Sequence, residues 1–400
     1  MKIRIEPQYF LYKYLWFIIL LPKQFMQLIL FFLIALTLLP TYIKEKQVFK
    51  IDTPSFCMVL WTIIYSISII FNSLIDGLAV QVLFSDLSKA FNWLIAVFFY
   101  NYYLKMPINI DRIKRYMYYN FTILVVFVGL FYIQRGSNVI LFGRSLLDWD
   151  GFTLATSYGV RYTGFLEYAT LNGQLILFLL PLIRLFRFRF FTQTIIFAFL
   201  LEVLVLSKSR IAIVAMLIYI AFAVVNEINS NNKWLIGIFC PIIPFMLFYN
   251  FEKIKQIFFQ MFSSRSGSNA TRFRVYEESL KAINGMEMLL GAGVRIPSTV
   301  DILLGSHSMY ISFIYRTGVL GSIIITVMFY YLFSKFLKCD SSERLRSIGY
   351  ILALSVFWLF EELDPHYWCL ILFFSTITIF MNTRNEEKSS DTGINYNSNI

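Results

Sequence analysis

FEKIKQIFFQMFSSRSGSNATRFRVYEESLKAINGMEMLLGAGVRIPSTVDILLG, residues 251–305, is a long polar stretch in a chain that otherwise consists of apolar runs. The runs on both sides are about 15 to 20 residues long, which suits helices that cross a bilayer core of about 30 Å. Hydrophobic residues make up 58% and charged residues 15% of the 400 residues, and a soluble chain cannot bury that much apolar surface. The sequence therefore predicts an all-α, polytopic transmembrane helical bundle with one large loop.

We predict about twelve membrane spans from the lengths of the apolar runs. The predicted spans are 8–22, 24–43, 54–72, 83–104, 117–134, 166–184, 190–206, 210–226, 234–250, 319–334, 346–360 and 366–382. Residues 1–382 are expected to form a single membrane domain, and the polar residues 383–400 are expected to form a disordered cytoplasmic tail.

Lysine and arginine residues accumulate in the loops on one predicted side of the bundle. These residues are Lys44, Lys46, Lys50, Lys105, Arg112, Lys114, Arg115, Arg184, Arg187, Arg189, Lys335, Lys338, Arg344 and Arg346. The positive-inside rule assigns this side, together with both termini, to the cytoplasm, so that the long loops of about 135–165 and 251–318 face outward. The net charge of +11 reflects this bias and does not predict nucleic-acid binding.

The large outer loop contains two predicted helices. Phe273, Tyr276, Leu280 and Ile283 recur at spacings of three and four, which predicts an amphipathic helix over 271–290 that lies along the outer membrane surface. A second helix is predicted over residues 302–315, followed by Gly318 as its end.

His307 is one of only two histidines and precedes an apolar helix at the predicted outer face. Because an imidazole titrates near neutral pH, His307 is a candidate general base or hydrogen-bond donor to a developing charge. The alternative is a histidine at a helix start that bonds to backbone only.

Several arginines fall on or near the predicted outer face, where their planar guanidinium groups could bind a diphosphate together. They are Arg161, Arg210, Arg265, Arg272 and Arg274. Arg210 stands at the junction of two spans, and charge at membrane depth tends to mark function. The alternative for each of them is snorkelling to lipid headgroups, which explains many arginines near membranes.

The short outer segment FEELDPHYW contains Glu361, Glu362, Asp364 and His366. Such a cluster could bind a divalent metal, but its spacing matches no ligand template, so a solvated loop is the favoured interpretation. The sequence contains no P-loop and no GxGxxG, GxSxG, HExxH or CxxC motif. We therefore expect neither a cofactor nor a metal, and nucleotide-driven transport is disfavoured.

The order of several short motifs resembles that of the O-antigen polymerase/ligase superfamily (Wzy and WaaL types). The motifs are Arg161-Tyr162-Thr163-Gly164-Phe165, Ser209-Arg210, Arg272 with Tyr276, Gly291 with Gly293, and His307 followed by Gly318 and Gly321. Two positions depart from the family pattern, which often has Asn where this chain has Ser308 and Trp where it has Tyr276.

The resemblance implies a metal-independent glycosyltransferase in the bacterial cytoplasmic membrane. Its donor would be an oligosaccharide on undecaprenyl diphosphate, polymerised into O-antigen, capsule or exopolysaccharide, and a chain-length regulator and a flippase of the same pathway would be possible partners. In this interpretation His307, Arg272 and Arg210 would be catalytic, and Arg161, Arg265, Arg274 and Tyr276 would bind substrate. The alternatives are an O-antigen ligase of the same superfamily, or a flippase or other transporter, although transporters usually place polar residues within their spans.

Overall fold

The fold was analysed in a computed structural model. The residues that it describes are 7–21, 23–44, 51–75, 77, 80–106, 108–133, 140–141, 144–145, 147–148, 161–164, 166–186, 190–230, 266–339 and 343–392. Most of these residues are helical, which confirms the predicted all-α class. Five of their helices are long and apolar enough to cross a membrane.

The first part of the chain forms helices and four very short strands. The helices are α1 (Pro7–Lys13), α2 (Leu15–Leu20), α3 (Lys23–Leu33), α4 (Leu39–Lys44), α5 (Thr53–Ile75), α6 (Val80–Lys105), α7 (Ile110–Ile133), α8 (Leu171–Leu185), α9 (Phe190–Leu206) and α10 (Arg210–Ser230), with a π-helical turn at Ile34–Leu38. The strands are β1 (Ile140–Leu141), β2 (Arg144–Ser145), β3 (Leu147–Asp148) and β4 (Arg161–Tyr162). They pair antiparallel, β1 with β2 and β3 with β4.

The second part forms the described portion of the large loop and the last helices. They are α11 (Ser266–Lys281), α12 (Met286–Leu290), α13 (Met309–Cys339), α14 (Arg344–Trp358) and α15 (Tyr367–Thr392). The five membrane-span candidates are α5, α6, α7, α10 and α13.

Some predicted boundaries differ from the structure. The first predicted span, 8–22, consists of the two short helices α1 and α2, because the backbone at Tyr14 (φ −116°) leaves the helical region. The last helix continues to Thr392, so the segment expected to be disordered from residue 383 begins as helix. The predicted span 234–250 lies outside the described residues, and the number of about twelve spans stays a prediction.

The two helices predicted in the large loop are shorter than expected. The predicted helix 271–290 is divided into α11 and α12, because Gly285 (φ 58°) takes a left-handed conformation between them. The predicted helix 302–315 begins only at Met309, after an irregular segment. Gly318 does interrupt this helix, but a second helical segment follows directly. The helix therefore bends at Gly318 instead of ending there.

The core of the bundle is built around α15, whose residues 368–381 are all buried. This helix packs chiefly against α6 and α8. A helix that is apolar on every side is stable only when neighbours enclose it, and α15 therefore lies inside the bundle. The segment that precedes it, residues 359–366, emerges at one end of the bundle, and we call it the acidic connection.

The opposite end of the bundle carries the cationic loops. Lys335 pairs with Asp52 at 2.6 Å, and Arg184 and Arg384 both pair with Glu343, at 3.0 and 3.3 Å. The structure thus brings cations from loops far apart in sequence to one end, as the charge pattern predicts. Assignment of this end to the cytoplasm stays a prediction.

Candidate functional site

The candidate site lies where α11 and the irregular segment before α13 meet the acidic connection. Three glutamate and aspartate side chains of this connection point inward and are buried or nearly so, namely Glu361, Glu362 and Asp364. The favoured interpretation of a solvated loop is therefore wrong. The carboxylates are buried because arginines from three other segments pair with them.

Glu362 is the centre of the cluster. Its carboxylate accepts hydrogen bonds from Arg295 at 2.5 and 3.3 Å and from Arg316 at 2.9 Å. It also accepts the backbone N–H of His307 at 3.2 Å. Arg295 is further fixed by the carbonyl of Gly305 at 3.2 Å and the hydroxyl of Ser312 at 2.9 Å. Glu362 therefore joins the large loop, α13 and the acidic connection into one unit.

Asp364 extends the cluster into the bundle. It accepts hydrogen bonds from Arg316 at 2.6 Å and from the indole N–H of Trp93 at 3.1 Å. Although burial works to raise the pKa of Asp364, Arg316, Arg295 and Trp93 together hold it below its usual value. The side chain of Arg316 is only 1% exposed and also lies over the ring of Tyr65. A charge this deep requires partners, and the two carboxylates supply them.

The third carboxylate, Glu361, has the loosest ion pair of the cluster. Arg272 of α11 approaches it at 3.4 Å, whereas the pairs of Arg295 and Arg316 are closed at 2.5 to 2.9 Å. Burial raises the pKa of Glu361 to about 7 and Glu362 adds to the rise, while Arg272 and Arg161 oppose it. Glu361 therefore takes up a proton more readily than an ordinary glutamate, and its ion pair with Arg272 is the weakest of the cluster.

His307 is placed by strained backbone. Its φ of 63° lies in the left-handed region, which costs a residue with a Cβ roughly 1–2 kcal/mol. The bond from its N–H to Glu362 and the 2.7 Å bond that its carbonyl accepts from the Tyr276 hydroxyl hold it there. Strain of this kind is typical of functional positions. The contacts that define the position of His307 thus join its main chain to side chains of the cluster, and the role of its imidazole stays a prediction.

The charge around His307 favours its neutral form. Burial lowers the pKa of His307, and Arg272 and Arg295 lower it further, while Glu362 opposes them. A neutral imidazole has a nitrogen that can accept a proton. Near neutral pH His307 is therefore in the state that a general base requires.

The remaining predicted site residues differ in their placement. Arg161 in β4 donates from Nε to the carbonyl of Ser207 at 3.1 Å and is close enough to Glu361 to influence its pKa. Arg274 is 58% exposed at its side chain and pairs with Glu278 of its own helix at 3.1 Å, so the structure does not bring it into the cluster. Arg265 lies outside the described residues.

Arg210 begins α10 at the same end of the bundle as the cluster. Two residues on, Ala212 faces Gly173 together with Phe357, which stands just before the acidic connection. The structure therefore places the start of α10 at the end of the bundle that carries the cluster.

Two glycines of the loop let backbones approach closely. Gly291 (φ 80°) leaves no room for a side chain, since a Cβ there would lie 2.3 Å from backbone atoms of Arg316 and Thr317. Its carbonyl accepts hydrogen bonds from Ser68 at 2.8 Å and from Asn72 at 2.9 Å, both on α5. The segment after α12 is thus fastened to α5 and to the bend in α13, next to the arginine that binds Glu362.

Sequence reasoning missed Arg295, Arg316 and the acidic connection as parts of the site. One signal was present, because an apolar helix that contains Arg316 needs a buried anion, and the three acidic residues of FEELDPHYW are candidates for that role.

In the described ranges no group of three or more histidine, cysteine or acidic residues is arranged to hold a metal ion.

A helical membrane protein with arginines, carboxylates and a strained histidine at one end of its bundle is suited to chemistry on an anionic, membrane-borne substrate. Residues 195–326, about a third of the chain, match the family model described as O-antigen ligase (Wzy_C). This match supports the O-antigen polymerase/ligase superfamily, as the motif order predicted, and its range includes Arg210, Arg272 and His307. A search of the curated proteins gives no significant match.

Proposed function

We propose that this protein is a membrane glycosyltransferase that polymerises undecaprenyl-diphosphate-linked oligosaccharide repeat units into a surface polysaccharide. The reaction takes place at the end of the bundle that carries the acidic connection, which we assign to the outer face of the bacterial cytoplasmic membrane. Both termini are then cytoplasmic. The observation that carries the proposal is that Arg272, Glu361 and His307 lie close together in a chain whose motifs follow the order found in the family.

Arg272 is the residue best suited to receive the donor's diphosphate. Its 3.4 Å contact with Glu361 is the longest ion pair of the cluster, and the raised pKa of Glu361 lets that carboxyl accept a proton when an anion takes its place. Arg295 and Arg316 form short, buried ion pairs with Glu362 and Asp364, and these pairs hold the structure around Arg272 in place. Arg210 and Arg161 are the further cations at this end, and such preorganised charge stabilises a leaving diphosphate.

His307 would act on the acceptor sugar. In the proposed step, a hydroxyl of the acceptor attacks the anomeric carbon of the donor, its proton passes to the neutral imidazole of His307, and the lipid diphosphate leaves as an anion. A single displacement of this kind inverts the anomeric centre. Two buried hydroxyls adjoin the proposed residues, those of Ser209 and Ser306, and they have no hydrogen-bond partner within the described residues. Substrate hydroxyls or phosphate oxygens could pair with them.

The donor carries its own activation in the diphosphate bond, so the proposal requires no nucleotide, metal or cofactor. The carrier lipid reaches the site from the membrane, and α11 and α12 present exposed apolar side chains such as Phe273 and Met288 toward it. A flippase and a chain-length regulator of the same pathway are proposed as further partners.

The proposal is tested by restoring variants to a deletion strain and resolving its surface glycan by length. We expect Arg272→Ala and His307→Ala to abolish the ladder while the protein remains in the membrane at wild-type amounts. Lys281→Ala is the matched control, because Lys281 stands on the same helix but is exposed and pairs only with Glu277. A wild-type ladder from Arg272→Ala would refute the role of the anion site.

The same strains separate the alternatives. Loss of a polymerase leaves single repeat units on their final acceptor, whereas loss of a ligase leaves polymer on the lipid carrier. The ligase alternative is favoured by the description of the matching family model. Loss of a flippase would instead trap single units on the carrier at the inner face, and that outcome would refute both enzymatic assignments.

A further inference from the structure

The structure contains a cavity that the proposed reaction does not use. It has a volume of about 470 Å³ and lies between α7, α8 and α9, with Leu15 of α2 at its edge. This volume falls within the range of sites that bind small molecules, which is about 300–1,000 Å³. Its residues on α7 run from Lys114 to Leu124, the half of that helix near the cationic end of the bundle.

The cavity lies beside a contact between α7 and α9. Phe121 and Phe199 meet at a ring distance of 5.1 Å, and farther along α7 the hydroxyl of Tyr132 donates to Glu202 at 2.7 Å. Phe121 itself lines the groove, together with residues of α8 and α9, and on α7 the lining continues to Lys114. The groove therefore reaches toward the cationic end of the bundle.

The walls of the groove are almost entirely carbon. Asn120 adjoins it, but its amide is turned to the carbonyls of Tyr12 at 2.6 Å and Tyr116 at 2.9 Å. Side chains such as Ile195, which is 53% exposed, form the rim. A long, apolar groove in a membrane-spanning surface suits a hydrocarbon chain better than any polar ligand.

One positive charge stands at the end of the groove nearer the cationic loops. The ammonium of Lys114, which lines the groove, donates a 3.0 Å hydrogen bond to the carbonyl of Phe186, the residue that follows α8. An apolar groove with a cation at its end is complementary to a lipid whose acyl chain is buried and whose headgroup is anionic.

We propose that this groove is a binding site for an anionic glycerophospholipid of the leaflet opposite the candidate active site. One acyl chain occupies the groove between α7 and α9, and the phosphate of the headgroup pairs with Lys114. The site is independent of the proposed glycosyl transfer and would stand if that function were different.

The test uses the full-length protein purified in detergent and examined by native mass spectrometry after addition of phosphatidylglycerol or phosphatidylcholine with identical chains. We expect phosphatidylglycerol to be retained preferentially, and Lys114→Gln to reduce that preference about fivefold, the effect of one basic residue at a membrane surface. Ile195→Trp, which fills the groove from its rim, should reduce retention of both lipids.

Two control variants keep the outcome specific. Lys338→Gln removes a cation at the same end of the bundle, and Leu217→Trp enlarges an exposed side chain of α10 that does not line the groove. Both should retain lipid as the wild type does. Equal retention of the two lipids by the wild type, or unchanged retention by Ile195→Trp, would overturn the proposal. So would a tightly held polyprenyl phosphate that phosphatidylglycerol does not displace.

Discussion

Glu362 is expected to be the residue on which the stability of the end with the acidic connection depends most. Its side chain is 9% exposed, and it pairs with Arg295 and Arg316, which are 8% and 1% exposed. In Glu362→Gln, Arg316 keeps Asp364, but Arg295 is left as a buried cation with neutral acceptors only, namely the new amide oxygen, the carbonyl of Gly305 and the hydroxyl of Ser312. Removing one member of a buried ion pair costs about 3–5 kcal/mol, which is a large part of a typical unfolding free energy of about 5–15 kcal/mol.

The free energy of unfolding can be measured in mixed micelles by tryptophan fluorescence. The double variant Glu362→Gln/Arg295→Met should recover part of the loss, because it leaves no unpaired cation. Glu277→Gln, at a fully exposed carboxylate on α11, is the control and should unfold as the wild type does. A loss of less than about 1 kcal/mol in Glu362→Gln, the range of a surface ion pair, would refute the reasoning.

Three further predictions concern the same region. In a His366→Gln protein the single remaining histidine, His307, should titrate below its usual pKa of about 6.5 in an NMR experiment, and a value at or above 6.5 would contradict the charge environment described. Glu361 should show an infrared band of a protonated carboxyl that disappears as the pH rises through about 7 and is missing in Glu361→Gln; a transition near the ordinary glutamate value would be inconsistent with its burial. Gly291→Ala should lower the thermal unfolding temperature more than Gly285→Ala, because both have positive φ but only the first meets backbone, and equal shifts would show that the close approach is unimportant.

The membrane class and the grouping of the cations could be predicted because both are local properties. Each apolar run is long enough to be assigned as a membrane span without knowledge of its neighbours. The basic residues recur in every second loop along the chain, as the positive-inside rule requires. Helices at the ends of the bundle were harder to predict. Tyr14 and Gly285 divide segments whose hydrophobic pattern continues across the break, so the pattern alone does not reveal them.

The site could be predicted only in part, for a different physical reason. Arg272, Tyr276 and His307 were candidates from residue type, predicted position and motif order, but their environment depends on the acidic connection, which is distant in sequence. Whether Glu361 is solvated or buried is decided by arginines that reach it only after the bundle has formed. Arg274 illustrates the same limit. Arg272, two residues earlier, pairs with Glu361, whereas the side chain of Arg274 pairs with Glu278 of its own helix. Spacing along the helix places the two on different faces, and no local signal says which face meets the carboxylates.

The different attachments of α11 and of the segment after α12 have a consequence for access by a bulky lipid-borne sugar. The segment that contains Gly291 is held to α5 and α13 through main-chain atoms, whereas α11 reaches the acidic connection through the side chains of Arg272 and Tyr276. In the proposed reaction, a donor diphosphate that pairs with Arg272 would replace the contact of this arginine with Glu361. Arrival of the donor would then remove one of the two side-chain attachments between α11 and the acidic connection.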